Sequence, residues 1–190
     1  EEILSHSFFL SKTEEFYKFY RDKLNCLDKL PNECHLYLTT LEKQGKLKAI
    51  ITQNIDGLHQ KAGNKKVIEL HGSIHRNYCE KCHTFYPLDK ITSTSSIPVC
   101  DKCGGIVKPD VVLYEEGLND EVISGAVNAI AAADTLIIGG TSLVVYPAAS
   151  FVDYFHGKNL VLLNKSSTSK DDYATLVIHE PIGQVLSQIK

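Results

Sequence analysis

The chain has 190 residues, 43% of them hydrophobic and 23% charged, the composition of one ordinary globular domain or of one domain with a small insert. Lys plus Arg is 20 and Asp plus Glu is 23, so the net charge is −3; no basic excess exists to neutralise phosphates, and nucleic acid is not an expected partner. The longest apolar stretch, Ala129 to Ile138, is interrupted by Asp134 and Thr135 and falls far short of a membrane span, so no membrane partner is expected either.

In chain order, Ser11-Lys12-Thr13-Glu14 has the form of a capping box ahead of a helix carrying Phe16, Phe19, Tyr20 and Leu24. Asn32 can cap a second helix, with Leu38 and Leu41 on its apolar face and Gly45 just past its end. Apolar runs predict buried strands over Leu47–Thr52, Val111–Tyr114, Leu136–Ile138, Leu160–Leu163 and Leu176–Ile178. A helix is predicted from Asn119, as cap, to Ala132, with Ile123, Val127 and Ile130 on one face. A closing helix over Pro181–Lys190 bears Ile182, Val185, Leu186 and Ile189. Strands alternating with helices predict an α/β fold with a doubly wound parallel sheet. Residues 75–107 break the pattern with a Ser/Thr run from Thr92 to Ser96 and little periodicity. They read as a small inserted module, which leaves 1–74 and 108–190 as the main domain.

Three polar clusters directly follow predicted strands: Gln53-Asn54-Ile55-Asp56, Gly139-Gly140-Thr141-Ser142, and Asn164. In an open parallel sheet, ligands bind outside the carboxyl ends of the strands. A polar turn accounts for any one of these clusters; their coincidence predicts one binding crevice.

Cys79-x2-Cys82 and Cys100-x2-Cys103 are separated by 17 residues. Each pair can offer two thiolates from a tight turn, and two pairs complete a tetrahedron suited to Zn²⁺ in a zinc ribbon. Four thiolates leave no open position for water, so the expected role is structural, with one zinc per chain. An iron–sulfur centre and a pair of disulfides are the alternatives for the same residues. Cys26 and Cys34 lie outside this spacing, and Cys34, on a predicted helix, reads as a core thiol. No charged-then-apolar signal sequence opens the chain, so a disulfide scaffold is not expected and a cytoplasmic location is.

Several runs together resemble the sirtuin family: Thr52-Gln53-Asn54-Ile55-Asp56-Gly57-Leu58-His59, Ala62-Gly63, Glu69-Leu70-His71-Gly72, the two cysteine pairs, Pro109-Asp110-Val111-Val112, Gly140-Thr141-Ser142-Leu143-Val144-Val145-Tyr146-Pro147-Ala148, and Asn164. The resemblance covers nearly the whole chain in the right order. It implies a Rossmann-like NAD-binding domain with a smaller zinc-bearing domain, acyl-lysine and NAD meeting in the cleft between them, and NAD-dependent deacylation of protein lysines. The family's opening strand and GAGxS turn have no counterpart here. The chain opens on Glu1-Glu2-Ile3-Leu4 and contains no Met, so it is expected to be part of a longer reading frame. Tyr114-Glu115-Glu116-Gly117 stands where the family usually has Phe-Gly-Glu-Asn, a departure that bears on the substrate clamp.

The chemistry implied by the resemblance assigns roles. The acyl oxygen attacks C1′ of the nicotinamide ribose and nicotinamide leaves. A ribose hydroxyl then attacks the resulting imidate, and hydrolysis gives lysine and O-acetyl-ADP-ribose. The hydroxyl needs a base, and His71 suits it, because imidazole titrates nearest neutral pH. Asn54 and Asp56 fit the nicotinamide carboxamide, or shape the loop as an Asx turn, or both. Gln53 is expected at the ribose and Ile55 as an apolar wall. Gly140, Thr141 and Ser142 are expected at a phosphate or ribose oxygen, Asn164 at the adenosine ribose, and Ile182, matched only by position, at the adenine edge. His6, His35, His75, His83, His156 and His179 receive no catalytic role, and His59 is expected to brace its loop.

The acetylated lysine segment is expected against Val111, Val112 and Tyr114, as an added strand. Sirtuins that remove acidic acyl groups resemble one another in a Tyr-x-x-Arg pair. Here Tyr17 is followed three residues on by Tyr20, with Arg21 rotated further round the helix, so acetyl is expected over succinyl. Tyr17 and Tyr20 packing the helix is the other account of the same pattern, and Arg21 swinging inward would undo the preference. Glu115 and Glu116 are expected to repel acidic segments and favour lysines with basic neighbours. Other functions compatible with the same motifs are protein ADP-ribosylation from the same crevice and a non-enzymatic zinc-ribbon binding module.

Overall fold

A computed structural model describes residues 2–24 and 27–189; Cys26 lies outside the described residues. The chain folds into two compact units: Glu1–Lys29, Thr52–Gly57 and Glu69–Asn119 form the first, and Leu30–Ile51, Leu58–Ile68 and Asp120–Lys190 the second. The cysteine segment 75–107 lies inside the first unit, together with the N-terminal helices.

The first unit pairs α1 (His6–Ser11) and α2 (Thr13–Lys23) with a three-stranded antiparallel sheet, ordered β4 (Phe85–Tyr86), β3 (Gly72–Cys79), β5 (Val107–Val111). Its core gathers Phe9, Phe16, Tyr17, Tyr20 and Leu24 with Ile74, Ile91, Val107 and Leu113. Phe9 and Phe16 meet edge to face at 5.1 Å, and Phe16 stacks on Tyr20 at 5.7 Å, arrangements that add to simple burial.

Two sequence expectations are corrected here. Ser11 does not open a capping box: it is the last residue of α1, its hydroxyl donates to the Ser7 carbonyl, and α2 starts from Lys12 without a side-chain cap. The side-chain cap belongs to α1, where Ser5 Oγ accepts the Phe8 N–H at 3.1 Å. The strand expected over Val111–Tyr114 lies earlier, at Val107–Val111, because Val107 and Pro109 are the residues that face the core and pair with β3.

The second unit is built on the parallel sheet β6 (Thr135–Gly139), β7 (Asn159–Leu163), β8 (Leu176–Ile178). Alternate residues of β7 face opposite ways. Val161 and Leu163 pack with Cys34 and Leu38 of α3 (Glu33–Lys43) and Leu186 of α7 (Ile182–Ser187); Leu162 packs with Leu143 and Ala149. Both faces are therefore covered, as a parallel sheet requires. Asn32 caps α3 as expected, accepting the His35 N–H, while His35 Nδ1 takes the Asn32 N–H in return, so a histidine fills the place Glu or Gln usually takes. Gly45 follows α3 at φ +72°. The helix expected over Asn119–Ala132 runs Asp120–Ala131 as α6, with Ala126 and Ile130 buried. Cys34 is a buried core thiol, and burial raises its pKa. The strand expected over Leu47–Thr52 shortens to β1 (Ile50–Thr52), which pairs with β2 (Val67–Glu69).

Candidate active site and metal centre

In the first unit, the loop after β1 and the turn between β2 and β3 lie together. Leu70 N–H donates to the Thr52 carbonyl at 2.9 Å, and Ile74 N–H to that of Ile55 at 3.1 Å. The Asn54 N–H donates to Thr52 Oγ1 at 3.0 Å, which shapes the loop locally. His75 Nε2 meets the Asp56 carbonyl at 3.1 Å and pins the far end of the loop. Ile55 rests against the core of the first unit. The structure thus brings Gln53, Asn54, Ile55, Asp56 and His71 into one neighbourhood.

His71 itself sits on a turn of a special shape. Gly72 has φ +75°, and a Cβ there would lie 1.9 Å from the Asp110 carbonyl oxygen. His71 Nδ1 lies 3.1 Å from the Gln53 carbonyl oxygen. A carbonyl only accepts, so Nδ1 carries a hydrogen, and in the neutral ring the lone pair is then on Nε2, the form a general base needs. The His71 carbonyl accepts the Val112 N–H at 3.1 Å, and Val111 pairs with Gly72. Val111 and Val112 are therefore neighbours of the His71 turn. Tyr114 is exposed and bridges to the N-terminal segment: its N–H donates to Leu4, and its carbonyl accepts from His6 at 2.9 Å.

Tyr17 and Tyr20, expected at the substrate, lie in the core of the first unit. Tyr17 is 0% exposed, and its hydroxyl donates to the Val107 carbonyl at 2.6 Å. Burial drives its pKa far above that of a free phenol, so it stays a neutral donor. Tyr20 is buried against Phe16. Both pack α2. Arg21 does not swing in: Nε donates to Ile91 O at 2.8 Å, Nη1 to Ser95 O at 3.2 Å, and Nη2 to Ser96 O.

Glu115 and Glu116 are not free charges either. Glu115 accepts from Ser7 N–H at 2.9 Å and Ser7 Oγ at 3.0 Å. Glu116 accepts from Leu113 N–H at 2.8 Å, His6 Nδ1 at 2.7 Å and Lys108 Nζ at 3.2 Å. Burial pushes the Glu116 carboxyl up, but the Leu113 N–H, His6 and Lys108 outweigh it and hold it below the usual range.

The second unit collects the remaining expected residues at the carboxyl ends of β6 and β7. Gly139 pairs with Leu163, and Gly140 N–H donates to the Leu163 carbonyl at 3.1 Å, which sets Gly140 beside Asn164. Thr141 Oγ1 accepts the Leu143 N–H at 3.2 Å; Ser142 is exposed. Asn164 Nδ2 donates to Ser166 O at 2.8 Å, and its carbonyl accepts from His179 Nδ1 at 2.9 Å. Ile182 packs with the Cys34–Leu163–Leu186 cluster and covers Gly139, where a Cβ would lie 2.2 Å from its Cδ1. His59 brings its ring within 4.7 Å of His35, which ties α4 (Leu58–Ala62) to α3.

The Sγ atoms of Cys79, Cys82, Cys100 and Cys103 all lie within 4.8 Å of one another, and among the described residues no other such group occurs. The separations are those of non-bonded sulfurs, 3.4 Å for Cys79–Cys103 and 3.6 Å for Cys82–Cys100, not of disulfides. Tyr86 OH donates to Cys100 Sγ at 3.2 Å, and Lys102 N–H does so at 3.4 Å. The Tyr86 hydroxyl leads in pulling the Cys100 thiol down to about 6, toward the thiolate a metal takes. Four convergent sulfurs with donors behind them fit a structural Zn²⁺.

The Sir2 family model matches residues 1–147. The chain belongs to the Sir2 family. A relative from Clostridium perfringens named NAD-dependent protein deacetylase is 62% identical over 190 residues, covering 100% of this chain and 78% of the relative. One of the same name from Clostridium acetobutylicum is 60% identical over the same coverage. A solved structure titled "Sir2-p53 peptide-NAD+" superposes with a TM-score of 0.91 at 37% identity, covering 98% of this chain and 80% of that one. "Sir2 bound to acetylated peptide" gives 0.91 and 37%, covering 97% and 80%. The Rossmann-like α/β class expected from the sequence is the sirtuin fold of these structures, and the four-cysteine cluster is consistent with its zinc ribbon.

Sequence reasoning missed Arg76, which bridges Glu69 and Asp110 with two contacts of 2.7 Å. No spacing rule flags a lone arginine inside a strand. Its signal lies only in the two carboxylates that the fold brings to it.

Proposed function

We propose that this chain removes acetyl groups from protein lysines with NAD as co-substrate, giving nicotinamide, O-acetyl-ADP-ribose and free lysine. When bound, NAD supplies an activated ribose carbon from which nicotinamide departs in favour of the acyl oxygen. His71 Nε2 takes the proton of a ribose hydroxyl, and the Gln53 carbonyl at Nδ1 fixes the tautomer that allows it. That hydrogen bond is the observation on which the reading rests. Asn54 and Asp56 hold the carboxamide, Ile55 walls it, and Gln53 reaches the ribose. Gly140, Thr141 and Ser142 receive phosphate or ribose oxygens, Asn164 the adenosine ribose, and the open side of Ile182 the adenine edge. Val111, Val112 and Tyr114 take the acetyl-lysine segment.

Zinc binding falls to 75–107 and NAD binding to 1–74 and 108–190. A cytoplasmic location agrees with four thiols spaced for metal rather than paired as disulfides. Among the described residues no helix is long and apolar enough to cross a membrane.

The test incubates the protein with NAD and an acetyl-lysine peptide and follows products by mass spectrometry. Free lysine peptide with stoichiometric nicotinamide and O-acetyl-ADP-ribose is the expected result, and His71→Ala should lose it by about 10²–10⁴-fold. ADP-ribose attached to protein, without deacetylation, would replace this reading with a transferase. No NAD-dependent turnover at all would leave a binding module.

A further inference from the structure

Arg76 lies on β3, and its guanidinium reaches two carboxylates: Nη1 donates to Glu69 at 2.7 Å and Nε to Asp110 at 2.7 Å. Glu69 stands two residues before His71. Asp110 stands two residues before Val112, whose N–H holds the His71 carbonyl at 3.1 Å. One arm of the guanidinium therefore fixes the chain entering the His71 turn, and the other fixes the strand laid against the turn. The Glu69 side chain is only 8% exposed. A carboxylate so far removed from water needs a partner, and its separation from Arg76 would leave a buried uncompensated charge. Burial pulls the Arg76 pKa down, but the two carboxylates more than offset it, as expected of a committed bridge. A planar fork can hold two carboxylates in fixed directions, which a lysine cannot.

We infer that Arg76 is a positioning residue for His71: through Glu69 and Asp110 it fixes the turn that aims Nε2. This rests on the reading of His71 as the base. On that reading His71 acts only after nicotinamide has left. Exchange of labelled nicotinamide into NAD, in the presence of acetyl peptide, therefore reports every step before the base is needed. A misaimed base slows deacetylation and spares exchange, whereas a destabilised fold lowers both together.

The experiment compares wild type, Arg76→Gln, Arg76→Lys and His71→Ala for kcat and KM of deacetylation, for nicotinamide exchange, and for thermal midpoint. Arg76→Gln should lower the deacetylation kcat by about 10–100-fold, since a misplacement of about 1 Å can cost that much. KM for NAD and for peptide, and the exchange rate, should stay within about threefold on the same scale of effect. Arg76→Lys keeps a cation beside Glu69 but not the fork. It should fold even where the Gln variant does not, and should show the same split with a loss of about 3–10-fold. Deacetylation in Arg76→Lys equal to wild type, or exchange falling in step with deacetylation in either folded variant, would overturn the inference. Undiminished deacetylation by His71→Ala would overturn the reading of the base, and this inference with it.

Discussion

Gly72 and Asp110 approach so closely that a Cβ on Gly72 would lie 1.9 Å from the Asp110 carbonyl oxygen, and Gly72 holds φ +75° as well. Gly72→Ala therefore meets a backbone atom, which cannot step aside like the end of a side chain. Backbone strain of this kind alone costs about 1–3 kcal/mol. The substitution should lower the thermal midpoint and abolish deacetylation by pushing β3 from β5 beside His71. A variant with wild-type melting and activity would show that the turn has another shape.

Glu115 holds φ +76° without being glycine, and its carboxylate binds Ser7 at the start of α1. Glu115→Ala keeps the unfavourable backbone and loses the cap, so it should destabilise by about 1 kcal/mol. Glu115→Gly loses the same cap but relieves the strain, so it should fall closer to wild type. Urea unfolding of the three proteins gives the order; Ala above Gly would contradict it.

The Glu116 carboxyl is depressed in the folded protein, with burial opposing and the Leu113 N–H, His6 and Lys108 prevailing. A depressed carboxyl contributes stability that is present above its unfolded pKa and lost as pH falls through the folded one. Between about pH 5 and pH 3 wild type should therefore lose more stability than Glu116→Gln. At neutral pH the Gln variant should be weaker by about 1–3 kcal/mol, because Lys108 is left without its carboxylate. Parallel acid unfolding curves for the two proteins would refute the sign.

Arg21 is engaged by the carbonyls of Ile91, Ser95 and Ser96. It is not available to neutralise an acidic acyl group, and an unpaired buried carboxylate is costly. Acetyl-lysine should accordingly exceed succinyl-lysine in kcat/KM on one peptide by at least about tenfold, the effect of 1.4 kcal/mol. Equal turnover of the two would mean that another cation serves.

Freshly purified protein should carry one zinc per chain, with Zn–S distances of about 2.3 Å by X-ray absorption. Chelation should lower the melting temperature and the activity together, and added zinc should restore both, since the closed thiolate shell acts only through the fold. Metal analysis without zinc would end this assignment.

The features legible in the sequence are those whose chemistry is local. The two cysteine pairs carry their own spacing, Asn32 caps the helix that follows it, and Asn164 directly follows the apolar run Leu160–Leu163. The antiparallel sheet is hidden, because a register shift between Ser73 and Asn77 breaks the alternation of β3, and Lys108-Pro109 disguises β5. Ser5 escapes notice as a cap because the Ser11 box lies closer to the longer helix. Tyr17, Glu115 and Glu116 each have a hydrogen-bond partner about 90 to 110 residues away, which no window along the chain contains.

The acceptor at His71 Nδ1 is a main-chain oxygen, that of Gln53. Every amino acid brings that same oxygen. Position 53 can therefore drift through many identities without disturbing which nitrogen of the imidazole is protonated. Its side chain is left free of that task. On the function proposed above, recognition and proton transfer then share a residue but not an atom, so selection can retune the first while leaving the second untouched.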